Sequence, residues 1–262
     1  MKRAERLNLL LDILAEDGHI DVDDIVTRLG VSPATARRDL DTLAEQRLLT
    51  RTRGGAMAQS ITYDLPIRYK SHQHADQKEL IARAASELVP TGAVIGLTGG
   101  TTTTAIATML AARPDIQRDS DVENLTVVTN SVNIAALLAT RPQIKVVVVG
   151  GVLNPRSYEL VGGFAEQVLS AVNMDIAFVG VNALDAHWGA STHNSDEAAI
   201  NRLMVHRARR AVVVADSSKI GKRAFAVVGD SSTLETVVTD AAVSEAQHTA
   251  LREAGYRVVI AE

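Results

Sequence analysis

Leu7, Leu10, Leu11 and Leu14 recur at i, i+3, i+4 and i+7, which predicts an amphipathic helix ending near Gly18. Asp21, with Asp24 three residues on, can cap a second helix whose apolar stripe is Val22, Ile25, Val26 and Leu29. Gly30 ends that helix and starts a tight turn, and Val31 is expected to plug the core. A third helix begins at once. Ser32 is a good N-cap, and Pro33 suits the first helical position, where a missing N–H leaves no bond unmade. Ala36, Leu40 and Leu43 then share one face; Ala34 and Arg38 point the other way, with Thr35 and Arg37 on the flanks. Two helices joined by so few residues make a helix-turn-helix arrangement.

Past the third helix the period changes. Leu48 and Leu49 are expected to start a short strand, Arg51 and Arg53 alternate with Thr50 and Thr52, and Gly54-Gly55 makes a turn. This reads as a wing, a small hairpin carrying two arginines. Residues 58–75 are polar and irregular, Pro66 interrupts any helix, and some extended structure is expected around Tyr63 to Tyr69. From Asp76 onward helical and apolar segments alternate. Helices are expected over Lys78 to Val89, Thr103 to Ala112, Val132 to Ala139, Glu197 to Arg209 and Ser244 to Ala254. Between them lie AVIGLTGG, LTVVTNS, KVVVVGG, IAFVGVN, AVVVADSS, TVVTD and RVVI. Continuous Val/Ile runs with helical crossovers predict a largely parallel sheet covered on both faces, an α/β architecture. The expected layout is 1–57 for the winged helix-turn-helix, 58–75 for a linker and 76–262 for the α/β domain.

Composition narrows the classes. At 262 residues the chain suits a small domain plus a medium one. No apolar run approaches ~20 residues, so no membrane span is expected. Met1-Lys2-Arg3 is followed by alternating charge without the apolar core of a signal peptide. There is no cysteine, which removes disulfides and thiolate metal sites and suits a cytoplasmic location. The net charge of −4 means that any nucleic-acid contact must come from a local patch. Aromatics at 3 % disfavour base stacking on single strands.

Such a patch exists. Arg37, Arg38, Arg47, Arg51 and Arg53 lie in a stretch whose only acids are Asp39, Asp41 and Glu45. A capped helix with a cationic outer face near its start is what a major groove admits; a winged helix that binds protein is the alternative. By chemistry Arg38 suits a guanine O6/N7 edge, while Ser32, Arg51 and Arg53 suit phosphates. His72-x-His74 near Asp76 has no third ligand of clear geometry, and exposed histidines in a hinge are expected there rather than a metal site.

In parallel sheets ligands sit at the carboxyl ends of strands. Here those ends are rich in small polar groups. Gly99-Gly100 lets the backbone turn closely and Thr101 to Thr104 open a helix, so N–H groups and hydroxyls face one point where the dipole favours an anion. A glycine turn with a threonine cap is the plainer alternative. The glycine spacing is neither that of a dinucleotide fingerprint nor that of a P-loop. Other strand ends give Thr129-Asn130-Ser131, Gly150-Gly151 and Asp216-Ser217-Ser218-Lys219. Lys219 can supply a charge to a phosphate. Glu197, at a helix start, can complement the dipole or accept hydrogen bonds from ligand hydroxyls.

VSPATARRDLDTLAEQRLLTRTRGGA resembles the N-terminal signature of the DeoR family of bacterial transcriptional regulators, with Ala36 where Ile is common. GGTTTT, VVTNS, VVVGG, DIAFVG and ADSSKIG resemble the successive motifs of that family's C-terminal sensor domain. The resemblance implies a Rossmann-like domain similar to ribose-5-phosphate isomerase and glucosamine-6-phosphate deaminase. It implies that Ser32, Thr35, Arg37 and Arg38 contact an operator; Pro33 and Ala34 at the same helix start, with Arg51 and Arg53, complete the expected DNA-contacting set. It further implies a phosphorylated sugar as effector, its phosphate held by Gly100, Thr101 and Thr102 and its polar body by Asn130, Ser131, Glu197 and Lys219. The strand-end reading adds Gly99 and Gly151. Two departures stand out: Thr98 where many members have Asp, which removes an acid from the site, and Ala183 where glycine is common, which suggests a different loop.

The function expected is a repressor of carbohydrate-metabolism genes, acting on double-stranded operator DNA as a homodimer or homotetramer at the nucleoid of a bacterial cytoplasm, with no membrane, metal or cofactor. A sugar-phosphate isomerase or deaminase with an appended DNA domain is the alternative, Glu197 and Lys219 then serving as an acid–base pair. A repressor that reads NAD(H) is the third reading.

Overall fold

Leu7, Leu10, Leu11 and Leu14 lie buried along one side of α1 (Arg3–Asp17), which ends at Gly18 in the left-handed region at φ +74°. The computed structural model describes residues 1–46, 48–58, 67, 73–118 and 123–262. Two units divide the chain, Met1–Gln73 and His74–Glu262. The expectations for Arg47, Tyr63 to Tyr69, Pro66 and His72 fall mostly or wholly outside the described residues.

In the first unit α2 (Val22–Leu29) ends at Gly30, again left-handed at φ +65°. α3 (Pro33–Glu45) starts as its sequence predicts, Ser32 Oγ accepting from Thr35 N at 3.2 Å. Asp21 occupies the N-cap of α2, but its side chain makes no capping bond. A strand that the pattern does not reveal, β1 (His19–Asp21), precedes α2; three residues are too few to show a period. It joins β2 (Thr50–Arg51) and β3 (Gly55–Met57) in an antiparallel sheet of order β1-β3-β2. A Cβ at Gly55 would run into the β1 backbone at Ile20 and Asp21, so glycine is required where the wing closes on the helices. The wing strand begins at Thr50, not at Leu48. Leu48 and Leu49 are buried at 3 % and 2 % exposure, packed into the core with Ala36, Leu40 and Leu43.

One charge is buried in that core. Asp39, on α3, has its side chain 2 % exposed and pairs with Arg6 of α1, whose Nε and Nη2 both donate to it. The hydrogen bond from Arg6 to Asp39 holds the guanidinium above its ordinary pKa, against the opposing effect of burial. The two helices are thereby clamped by a bidentate ion pair.

The second unit is built on seven parallel strands: β4 (Val94–Leu97), β5 (Leu125–Thr129), β6 (Ile144–Val148), β9 (Met174–Gly180), β12 (Ala208–Val214), β14 (Thr236–Asp240) and β15 (Arg257–Ala261). Each corresponds to one of the seven apolar runs, and the order is β15-β14-β12-β9-β4-β5-β6. Alternation within the strands separates two cores. Ile95, Leu97, Val127, Phe178, Val212 and Val238 face α4 (Ala75–Glu87), α5 (Thr101–Ala112) and α7 (Val132–Leu138). Val128, Ala177, Val179, Val213 and Val237 face the other way, toward α8 (Gly163–Ser170), α9 (Ser195–His206) and α10 (Glu245–Glu253). A short α6 (Pro114–Gln117) follows α5.

Three features depart from the sequence reading. The hairpin of β7 (Val152–Asn154) and β8 (Glu159–Val161) follows β6. A small antiparallel sheet joins β10 (Ala183–Asp185), β11 (Gly189–Thr192) and β13 (Ala226–Gly229), with Ala183 the first residue of β10. The helix expected over Glu197 to Arg209 starts two residues earlier and stops at His206; Arg209 belongs to β12, where pairing with β9 begins at Ala208↔Met174. Among the described residues no helix is long and apolar enough to cross a membrane.

Asp39→Ala should destabilise the first unit by about 3 kcal/mol, because it leaves Arg6 charged and largely out of water without its partner. Urea unfolding of the full chain, followed by amide exchange at Leu10 and Leu40, reads this out; exchange there as slow as in the wild type would refute the clamp.

Candidate nucleic-acid interface and ligand site

The buried stripe of α3 fixes what its opposite side presents. With Ala36, Asp39, Leu40 and Leu43 inward, Ser32, Pro33, Ala34, Arg37 and Arg38 are exposed and Thr35 is half-buried. Six of the eight expected DNA-contacting residues therefore lie at one helix start, pre-capped and oriented by the core. Arg53 is exposed at the wing tip. Arg51 is not presented in the same way. Its Nη1 donates to Gly55 O at 2.6 Å and its Nε pairs with Asp41 Oδ1 at 3.0 Å, so it braces the wing against α3. The two wing arginines thus differ in setting, Arg53 exposed and Arg51 half-buried and paired. Asp41 sits four residues before the end of α3, facing the wing, and a linear count of charges cannot show that pairing.

In the second unit the strand order turns at β4. Successive crossovers go from β4 to β5 to β6 on one side, then return to β9 on the other. At such a switch point the connections leave the sheet in opposite directions and open a crevice at the carboxyl ends. Gly99 and Gly100 lie there. Gly100, at φ +129°, is the N-cap of α5, whose first three N–H groups have no intrahelical partner. Thr101 is half-buried, Thr102 and Thr103 are buried, and the hydroxyls of Thr103 and Thr104 donate to Gly100 O at 3.0 and 2.6 Å. Thr98 is fully buried: its hydroxyl accepts from Gly180 N at 2.9 Å and stitches β4 to β9. This residue closes the sheet rather than facing a ligand.

Across the glycine turn lies a side chain that the sequence reading passed over. Glu159 of β8 is 5 % exposed and occupies the space that a side chain at Gly99 would need; a Cβ at Gly99 would overlap its Cγ and Cδ. Asn130 Nδ2 donates to Glu159 Oε2 at 2.9 Å. On either side of Glu159 the hairpin is pinned to the end of β5, by Val132 N to Tyr158 O at 2.9 Å and Leu160 N to Asn130 O at 2.7 Å. Tyr158 is held at φ +60°, a left-handed conformation costing about 1–3 kcal/mol for a residue with a side chain.

Glu159 pairs directly with Asn154 across the hairpin. Residues opposite each other present side chains to the same face, and Asn154 Nδ2 donates to Glu197 Oε1 at 2.8 Å. Glu197, 4 % exposed, stands in the first turn of α9, where Asn194 caps both Asp196 N and Glu197 N. The hairpin thus links Gly99 and Asn130 to Glu197. A cleft of about 460 Å³, lined in part by Asn154, Arg156, Asn194 and Asp196, lies between the hairpin and the start of α9. Ser131 Oγ donates to Asn133 Oδ1, and Asn133 Nδ2 donates to Thr104 Oγ1, tying the ends of β5 and α5 together.

Two further expected residues lie on other elements. Gly151, at φ +138°, packs where a Cβ would meet Val161 O at 2.6 Å; it lets the chain enter the hairpin and is a turn residue. Lys219 is half-buried in a single 3-10 turn, Ser217–Lys219, after β12, and β9 lies between β12 and β4. Glu159 had a sequence signal only in retrospect: it follows Gly150-Gly151 by one hairpin length, too far for a strand-end motif. Among the described residues no cluster of three His, Asp or Glu side chains could hold a metal ion.

Gly99→Ala should cost about 1–3 kcal/mol, the range for overpacking a filled site, and Glu159→Ala should recover much of it. A double-mutant cycle in thermal unfolding tests the contact; additive effects would show that the two do not touch.

Comparison with known proteins agrees with both halves. The profile of the DeoR-like helix-turn-helix domain matches residues 6–62, and that of the DeoR C terminal sensor domain matches residues 73–241. The glycerol-3-phosphate regulon repressor of Escherichia coli K12 is 30 % identical over 241 residues, covering 92 % of each chain. An HTH-type transcriptional regulator of Haloferax volcanii is 33 % identical over 260 residues, covering 99 % of this chain and 98 % of that one. Among solved structures, ribose 5-phosphate isomerase A of Methanocaldococcus jannaschii aligns at 20 % identity and a TM-score of 0.42, over 60 % of this chain and 56 % of the other. With profile matches over both units and relatives at this identity along nearly the whole length, the chain belongs to the DeoR family of transcriptional regulators.

Proposed function

We propose that this chain is a transcriptional repressor of carbohydrate-metabolism genes, that it binds double-stranded operator DNA through the start of α3, and that a phosphorylated sugar bound in the second unit controls it. The observation that carries the DNA half is the exposed, pre-capped start of α3 with Arg37 and Arg38 on the side away from the core. Such a helix enters a major groove without refolding, and its arginines can bridge guanine O6 and N7. Ser32, Thr35 and Arg53 are the candidates for phosphate contact. Pro33 and Ala34, small and exposed, allow close approach. Arg51 serves by bracing the wing.

The sensing half rests on the α5 start at the switch point. Gly100, Thr101 and Thr102 offer N–H groups and a favourable dipole to a phosphate, and Gly99 lets the backbone come close. Asn130, Ser131, Glu197 and Lys219 are the candidates for the sugar body, with Gly151 shaping the hairpin. Repressors of a glycerol-3-phosphate regulon among the relatives support a phosphorylated effector. Two recognition helices must reach successive major grooves, which favours a homodimer or homotetramer. The effector acts by binding one of two states more tightly, and release of DNA is the expected direction. The setting is the cytoplasm, and neither metal nor cofactor nor turnover enters this reading.

Arg38→Ala should weaken operator binding by ~1–3 kcal/mol, the value of one bidentate base contact, and bulk DNA binding much less. Titration of labelled operator and scrambled duplex at one salt concentration checks it; equal losses on both would reassign Arg38 to the backbone. Thr101→Asp should abolish the response to sugar phosphates and leave operator affinity intact. An acid suits the first turn of a helix, so the fold should stand, while its charge opposes the phosphate. An unchanged dose–response curve would put the phosphate elsewhere.

A further inference from the structure

Register separates the two faces of the small sheet formed by β10, β11 and β13. Leu184 pairs with Ala190 and both are fully buried, as is all but 3 % of Val228; the three belong to one core. The other face carries Asp185 and, opposite each other, Ser191 and Val227. An antiparallel sheet covered on one side normally turns polar residues to the water. This one does not. Val227 is 48 % exposed, and Phe225, two residues earlier in the chain, is 75 % exposed.

The turn between β10 and β11 extends the patch. Trp188 there is 55 % exposed. Asp185 Oδ1 accepts from His187 N and Trp188 N, both at 2.9 Å, and its Oδ2 from Arg223 Nε at 3.1 Å. The Arg223 guanidinium lies over the Trp188 ring, 4.8 Å from its centroid. Ring and cation are therefore held in place in advance, and less freedom is lost when a partner arrives. The chain has three Phe and one Trp, and of these only Phe178 is buried. Two of the other three stand here beside an arginine, and Trp and Arg are prominent among the residues that dominate protein contacts. The strand edge is not what is offered, because Arg202 of α9 donates to Val227 O.

We infer that this face, with Trp188, Arg223, Phe225 and Val227 at its centre, is where a second copy of the chain docks. The inference rests on the oligomer reading above and names the surface on which the copies meet. At roughly 150–250 Å² per aromatic side chain, the exposed parts of Trp188 and Phe225 alone present on the order of 200–300 Å² of apolar surface. That suits the dry centre of a contact of standard size, about 800 Å² per partner, with a polar rim around it. The charges suit a second copy too. A two-fold contact needs one face to hold both halves of every pair. Arg223 and Asp185 lie side by side, and the Nη nitrogens of Arg223 have no hydrogen-bond partner among the described residues. Rotation about the two-fold brings each guanidinium the other copy's acid, and each ring apolar surface.

Trp188 is the chain's only tryptophan, so its fluorescence reports on this face alone. The test combines sedimentation velocity with acrylamide quenching of Trp188, on full-length wild type and Phe225→Asp, over a dilution series from micromolar to nanomolar. Phe225 is exposed, so the variant should keep its fold, which circular dichroism checks; Val227→Lys is the second variant and should act in the same direction. Wild type should assemble with Trp188 shielded. The variants should dissociate at concentrations at least about 30-fold higher, the loss of one dominant contact, and their Trp188 should quench faster. Equal assembly of wild type and both variants overturns the inference: the copies then meet elsewhere, and this face is left to a different protein. Variants that dissociate while Trp188 quenches as in assembled wild type overturn it as well. If wild type sediments as a monomer throughout, the oligomer reading falls and takes this surface with it.

Discussion

The missing side chain at Gly99 is the constraint on which the packing at the end of β4 depends. At that point β4 ends between two neighbours whose connections diverge, and three groups converge on the space. Thr98 turns in to close the gap to β9, Glu159 lies over the glycine, and Gly100 starts a helix. Any β-carbon at residue 99 would displace the carboxylate and, through Asn130, disturb the end of β5 as well.

The first unit shows a comparable economy. Asp39 is inside, bound to Arg6, while Arg37 and Arg38 beside it are outside. The Arg-Arg-Asp-Leu run therefore performs two tasks on adjacent residues of one helix. The clamp sets how α3 lies on α1, and so decides which way the two arginines point. The same logic extends to the wing, where Arg51 is spent on Asp41 and the Gly55 carbonyl, leaving Arg53 outward.

Much of this was legible in the chain itself, for physical reasons. Long periodic segments announce themselves: the leucines of α1, the capped start of α3 and all seven Val-rich strands of the large sheet. Elements of three residues do not, since β1, β7 and β8 are shorter than any period that could reveal them. That is why Glu159 went unnoticed: its importance comes from hairpin register against Asn154 and from contact with a glycine 60 positions earlier. The Arg51–Asp41 pair was hidden for a similar reason, because a wing arginine and a helix aspartate ten residues apart look independent until the chain folds back. Strand-end motifs, by contrast, depend on local turns, and the switch point gathered Gly99, Gly100, Asn130 and Ser131 at neighbouring strand ends.

The bracing of Arg51 has a consequence for behaviour on a chromosome. On the proposal that the start of α3 reads DNA, a face whose described outward arginines are Arg37, Arg38 and Arg53, on a chain of net charge −4, would displace few counterions when it meets duplex of arbitrary sequence. Unrelated DNA is a vast competing reservoir, and a regulator that adheres to it weakly loses little of its population there. On the same proposal, restraint in surface charge would let a small number of copies keep a target occupied.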